Sequence, residues 1–223
     1  MTNEMIFLLQ TVSMLLLTLG AFTLGKNYLK AFIGASIILA NLFVTKQITL
    51  FGFDATGGNV MYAAIFLATD LLSEHHSTHD AQEGVKIGLG TSLLYLIGGQ
   101  FMLQYLPSSY DTVHEGMQKI FVFAPRLLLG SLLAYLISQF HDIRAYKFIR
   151  EKTGQKQLWL RNIGSTWISQ LIDSVIFTVV AFAGVFPFSV LLQIIISTYL
   201  LKILIALLDT PFMYLSYRLK RLT

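Results

Sequence analysis

The chain has 223 residues, of which 55% are hydrophobic and 13% charged, whereas a soluble domain carries about 25% charged residues. With a mean hydropathy of +0.65, that composition suits hydrocarbon as a solvent, and the net charge of +4 gathers beside apolar stretches, as at a membrane and not at a nucleic acid. The lack of cysteine excludes disulfides, thiolate metal sites and cysteine nucleophiles.

A membrane-crossing helix needs about 20 apolar residues. Residues 5–25, 30–52, 58–73, 85–106, 118–140, 163–184 and 188–208 qualify. They predict an all-α polytopic membrane protein, a bundle of about seven transmembrane helices in one domain. The first stretch has an acidic flank, Glu4, no basic n-region and no cleavage site leading to a soluble domain. It is expected to be a retained helix, not a signal peptide.

The second stretch carries Asn41 and Thr45 on one helical face, followed by Lys46. Lys46 either serves a polar site or snorkels to the surface. The third stretch is short, follows Thr56-Gly57-Gly58, and ends on Asp70 and Glu74. Short, glycine-interrupted segments often line transporter sites. Asp70 and Glu74 at i and i+4 repel when both are ionised, unless a cation, a donor-rich ligand or a shared proton intervenes. His75 and His79 have a zinc-compatible spacing. Their order is not His-Glu-x-x-His, so residues 74–80 are expected to form a solvated polar connection without metal. Arg126, after Pro125, either snorkels or binds an acid inside a cavity.

Residues 141–161 are expected to be a loop. They hold Arg144, Lys147, Arg150, Lys152, Lys156 and Arg161, which places the loop in the cytoplasm. Arg218, Lys220 and Arg221, like Lys26 and Lys30, then fall on the same side. The N-terminus falls outside and the C-terminus inside. Tyr146 and Trp159 are expected at the interface, and Phe186-Pro187-Phe188 in an outer turn. Ile33-Gly34-Ala35-Ser36 and Ile163-Gly164-Ser165-Thr166 echo each other, too briefly to establish a repeat. No Walker-type glycine loop is present, so the chain is not expected to hydrolyse ATP.

The sixth stretch aligns Trp167, Gln170, Asp173 or Ser174, and Phe177 on one face. An aromatic plane, an amide and a carboxylate suit a flat heterocycle with ring N–H donors. The same groups also suit a structural interhelical network. Lys202 lies in the seventh stretch with Gln193, Ser197 and Thr198. A charge at bilayer depth costs about 2.5–3.5 kcal/mol on insertion scales. An Asp173–Lys202 pair would lower the cost of both charges, in a binding site or in a structural ion pair.

Together these residues resemble the vitamin uptake transporter family. In the first half the likeness rests on Asn41 with Lys46, Thr56-Gly57-Gly58, and Phe66-Leu67-Ala68-Thr69-Asp70-Leu71 leading to Glu74. In the second half it rests on Arg126, Ala134-Tyr135, Gln139, Asp142, Trp159, Ser165-Thr166, Asp173, Leu201-Lys202-Ile203-Leu204, Pro211 and Tyr214. The resemblance implies import of 7-cyano-7-deazaguanine or 7-aminomethyl-7-deazaguanine, precursors of queuosine, through the bacterial inner membrane. The expected substrate set is Asn41, Lys46, Asp70, Glu74, Arg126, Trp167, Gln170, Asp173 and Lys202. The expected partners are a purine-like small molecule and the bilayer, with no cofactor, no metal and no nucleic acid.

Many relatives have six spans, so residues 1–29 read as an extra N-terminal helix on a family core at 30–215. His75-His76-Ser77-Thr78-His79 also departs from the aromatic, glycine and basic residues that often follow the glutamate in relatives. Other readings are transport of another vitamin-like heterocycle, a substrate-binding subunit beside a separate energising complex, a metal-dependent intramembrane enzyme at Asp70, Glu74, His75 and His79, or a structural subunit.

Overall fold

A computed structural model describes residues 1–121, 125–154, 157–184 and 186–220. Lys156 and Arg221, two of the basic residues used to orient the chain, lie outside the described residues. The elements are α1 (Asn3–Leu24), α2 (Lys26–Phe43), β1 (Gln47–Leu50), β2 (Phe53–Thr56), α3 (Asn59–His75), α4 (Thr78–Met102), α5 (His114–Phe121), α6 (Pro125–Thr153), α7 (Leu158–Phe182) and α8 (Phe188–Lys220). The protein is an all-α membrane protein in architecture, with one small hairpin. Among the described residues α1, α7 and α8 are long and apolar enough to cross a membrane by length and composition alone.

Helix α3 sits at the centre, packed against α1, α2, α4, α6 and α8. Every residue of α3 except Tyr62 and His75 is buried, so its environment is mainly protein. Its 17 residues make it shorter than the usual bilayer-spanning helix. Helix α1 packs Phe7, Thr11, Leu15, Thr18, Leu19 and Phe22 inward at helical spacing. Thr11 and Thr18 donate to Phe7 O and Met14 O, each at 2.8 Å, so their hydroxyls are satisfied inside an apolar seam.

Several boundaries differ from the sequence expectation: α4 starts at Thr78 and not at 85, the stretch at 118–140 is divided between α5 and α6, and three further differences shape the fold. The stretch at 30–52 is not one helix. Helix α2 ends at Phe43, Thr45 donates back to Leu42 O at 2.7 Å, and β1 pairs antiparallel with β2. Phe51 and Gly52 have φ of 52° and 79°, the left-handed pair that closes a two-residue hairpin. Gly58 follows where a Cβ would lie 2.9 Å from Ala40 O, so α2 and the start of α3 approach backbone to backbone.

The expected loop at 141–161 is mostly helix. Residues 141–153 contain neither glycine nor proline, and α6 runs through them to Thr153. Gly154, at φ 62°, closes the helix by donating to Arg150 O at 2.8 Å. Finally, α8 passes the expected stop at 208 and reaches Lys220 with Pro211 inside it. Thr210 still donates to Ala206 O at 3.2 Å beside that interruption.

The helix ends gather into two faces. On one face Lys30 Nζ donates to Asp80 Oδ1 at 2.6 Å and to Glu83 Oε2 at 2.5 Å. Arg150 donates to Ser73 O at 2.7 Å and Lys220 to His75 O at 3.3 Å. The α1–α2, α3–α4 and α6–α7 connections and the end of α8 therefore share this basic face. Asn3 donates to Thr49 O at 3.0 Å on the opposite face, where Phe51 N also donates to Glu4 at 3.1 Å.

The expectation of a solvated connection at residues 74–80 holds for His76, Ser77 and His79, which are exposed, and is corrected at its two ends. Glu74 and Asp80 are buried, Ser77 caps α4, and the His75 ring contacts Phe22 and Tyr217. Tyr146 is also buried and not interfacial, while Trp159 is exposed as expected.

Asp80 stands in the first turn of α4, in the connection to α3. The Lys30 ammonium, helped by the Ser77 hydroxyl, holds its carboxyl well below the usual carboxylate range. A depressed folded value gives stability that is complete above the unfolded value of about 3.9 and is lost as pH falls through the folded value. Asp80→Asn is therefore expected to lower the thermal midpoint equally at pH 6 and pH 8. The gap from wild type should narrow only in strong acid. A gap that widens as pH falls would contradict this account.

Candidate functional site

Helix α7 turns a polar stripe inward. Asn162, Ser165, Thr166, Ser169, Gln170, Asp173, Ser174 and Thr178 recur at steps of three and four and are all buried. Ile168, Leu171, Val175 and Val179 are exposed on the other side. The helix is amphipathic in reverse, as suits a membrane protein with a polar interior.

That stripe meets α8 and α3 at a narrow gap. Asn59, Ala63 and Phe66 line it from α3, Thr166 and Gln170 from α7, and Lys202 and Asp209 from α8. The empty space is about 210 Å³ and is too tight for a water-sized sphere. Typical ligand pockets measure about 300–1,000 Å³, so this gap is smaller than a pocket that holds a ligand.

Lys202 Nζ pairs with Asp173 Oδ2, both residues being buried. Ser138 Oγ donates to Asp173 Oδ1 at 3.3 Å, and the ammonium lies 5.7 Å from the Tyr62 ring centroid. Asp173 thus holds a cation and a hydroxyl, which offsets its desolvation. Close by in sequence, Thr166 Oγ1, Trp167 Nε1 and Gln170 Oε1 are buried without hydrogen-bond partners. Buried polar groups are nearly always paired, so these orphans mark a place where polar groups remain to be satisfied.

A second cluster lies toward the basic face. Arg161 Nε donates to Glu74 Oε2 at 2.9 Å, and its Nη2 pairs with Glu74 Oε1. Tyr146 donates to Glu74 Oε2 at 2.7 Å, and Tyr217 donates to Oε1. The Glu74 and Arg161 side chains have 0% exposure. Tyr146 also helps wall a second cavity with Ser73, His76, Ser77, Lys147 and Arg150. That cavity is open to solvent and holds about 760 Å³ of empty space.

Of the sequence-predicted set, Gln170 and Lys202 line the gap, Asp173 is held by Lys202, and Trp167 stands one helical turn before Gln170. Asp173 and Trp167 are not among its lining residues, and neither are the other five. Asn41 is buried and donates to Ile37 O at 3.0 Å. Lys46 is exposed. Arg126 is exposed and donates to Val180 O at 2.6 Å and Ala183 O at 2.5 Å, closing the end of α7. Glu74 is held by Arg161, and Asp70 is buried. The substrate-set reading missed Asn59, Thr166 and Asp209 on the gap. Asp209 was readable in principle, because it stands seven residues, two helical turns, after Lys202. It was hidden by ending the last span at 208.

The family described as "Putative vitamin uptake transporter" matches residues 56–216. A protein of Bacillus subtilis named "Probable queuosine precursor transporter" is 44% identical over 196 residues, 87% of this chain and 86% of that protein. The "Queuosine precursor transporter" of Escherichia coli is 26% identical over 194 residues, 83% of this chain and 84% of that protein. No solved structure matches the chain. With that match spanning most of its length, the chain belongs to the vitamin uptake transporter family.

Proposed function

We propose that the protein imports a queuosine precursor, a 7-deazaguanine, across the bacterial inner membrane, and that its role is transport and not catalysis. The observation that carries this reading is the buried Asp173–Lys202 pair beside the unpartnered Thr166, Trp167 and Gln170 groups. A deazaguanine presents ring and amino N–H donors beside a carbonyl acceptor. Asp173 and Gln170 Oε1 accept the donors, Lys202 donates to the carbonyl, and Trp167 offers a stacking face. The names of the relatives support the same substrate class.

In this reading the narrow gap widens to admit the ligand, and the Asp173–Lys202 pair exchanges part of its mutual contact for the ligand edge. The Glu74–Arg161 cluster, with Tyr146 and Tyr217, closes the passage from the gap to the solvent-open cavity. The basic face is cytoplasmic by the positive-inside rule. The N-terminus is then outside and the C-terminus inside. Helix α1 is an addition to a six-helix core at 30–215.

Expression in a bacterium that lacks both precursor synthesis and its own importer tests this. Each precursor is supplied at low concentration and queuosine in tRNA is measured. Wild type should restore queuosine and Asp173→Ala should not, with both proteins present in the membrane. Failure of wild type with either precursor would redirect the search to another heterocycle.

A further inference from the structure

The narrow gap between α3, α7 and α8 is short of positive charge. Among the described residues the charged side chains that line it are Lys202 and Asp209, both on α8. The Lys202 ammonium is committed to Asp173. Asp209 is 1% exposed, and the neutral amide of Asn162 donates to its Oδ1 at 2.8 Å. Among the described residues no lysine, arginine or histidine forms an ion pair with it. Lys202 and Asp173 balance each other, and Asp209 is left as a buried carboxyl without a countercharge.

The polar groups beside it lack donors as well. Gln170 Oε1 and Asn162 Oδ1 are buried acceptors without partners, and the Thr166 hydroxyl is also unpartnered. Thr166 and Gln170 line the gap together with Asp209. A hydroxyl donates as well as accepts, so this part of the gap presents more acceptors than donors. A carboxyl buried in such a place is either kept neutral by a proton or ionised by a cation that comes to it. A ligand that carries an ammonium brings that cation and its N–H donors together. Lys202 and Asp209 stand seven residues apart, about 10 Å along the α8 axis, so they serve opposite ends of a flat bicyclic ligand.

We infer that Asp209, oriented by Asn162, receives a cationic substituent of the ligand, so that the protein prefers the aminomethyl precursor, an ammonium at neutral pH, to the uncharged cyano precursor. The inference rests on the deazaguanine reading above. Asp173 and Lys202 then meet the ring edge that the two precursors share, and Asp209 meets the substituent in which they differ. An ammonium donates to the carboxylate and neutralises it. A nitrile is an acceptor only, and it would leave the Asp209 carboxyl without a donor from the ligand. Asp209 thus discriminates both by attracting one substituent and by failing to satisfy the other.

Calorimetric binding to purified full-length protein near neutral pH tests it. The ligands are 7-aminomethyl-7-deazaguanine, 7-cyano-7-deazaguanine and 7-hydroxymethyl-7-deazaguanine, a neutral compound close in size to the aminomethyl one. Wild type should bind the aminomethyl compound about tenfold or more tightly than either neutral one, the scale of a buried charge-assisted hydrogen bond. Asp209→Asn keeps an acceptor for the Asn162 amide and should bring the three affinities close together. Asp209→Glu keeps the carboxylate and should keep the order. Equal affinities in wild type, a preference for the cyano compound, or a preference that survives in folded Asp209→Asn would each overturn the proposal. The wild-type comparison decides by itself where the variants do not fold. If folded wild type binds none of the three, the deazaguanine reading fails; if it binds all three tightly without preference, that reading stands and the role of Asp209 falls.

Discussion

Lys202→Ala is expected to abolish uptake and to destabilise the folded protein by about 3–5 kcal/mol, the usual cost of removing one partner of a buried ion pair. The reason is local. Asp173 would keep its charge at the bundle centre with only the Ser138 hydroxyl donating to it, at 3.3 Å. Asp173→Ala should lose uptake too, leaving an unpaired ammonium over the Tyr62 ring. The informative comparison is the double variant Asp173→Asn with Lys202→Met. It removes both charges at similar volume, and replacing a buried pair in this way is often neutral or stabilising. Thermal unfolding in detergent should return close to wild type for the double variant, while precursor uptake stays absent. Normal uptake by a well-folded double variant would show that the pair serves packing alone.

The second large effect is expected at Arg161. Arg161→Ala removes the fork that holds both Glu74 oxygens and should also cost about 3–5 kcal/mol. Tyr146 and Tyr217 would remain as donors, but two phenols do not neutralise a buried carboxylate. Arg161→Lys keeps the charge and loses the two-pronged geometry, so it should fall between wild type and alanine. Thermal unfolding in detergent ranks the three proteins. Glu74→Gln in the Arg161→Ala background relieves the stranded charge and should recover part of the loss. Equal thermal midpoints for wild type and Arg161→Ala would mean that the cluster does not hold α3 to α7.

These two pairs differ in how far the sequence announced them. Asp173 and Lys202 stand out because each interrupts a long apolar run, where a charge is expensive and needs a partner. Arg161 did not stand out. It closes a basic segment that reads as solvated loop, although its partner Glu74 lies 87 residues earlier in the chain. Asp142 belonged to the family likeness but fell in the same expected loop, and Asp209 fell one residue beyond an expected span. The hairpin at residues 47–56 was absorbed into an apolar run, because hydropathy does not separate a short apolar strand from a helical segment.

The chain order alone determined the membrane class, the succession of long apolar segments, the basic ends and the inward acid and base of the last two helices. Each of these follows from local composition and from the cost of charge in hydrocarbon. Only the tertiary structure decided which polar groups meet: Glu74 with Arg161, and Lys30 with Asp80. Lipid and protein interior are both apolar, so hydropathy does not say which side of a helix faces its neighbours. That choice belongs to the packing of all the helices at once.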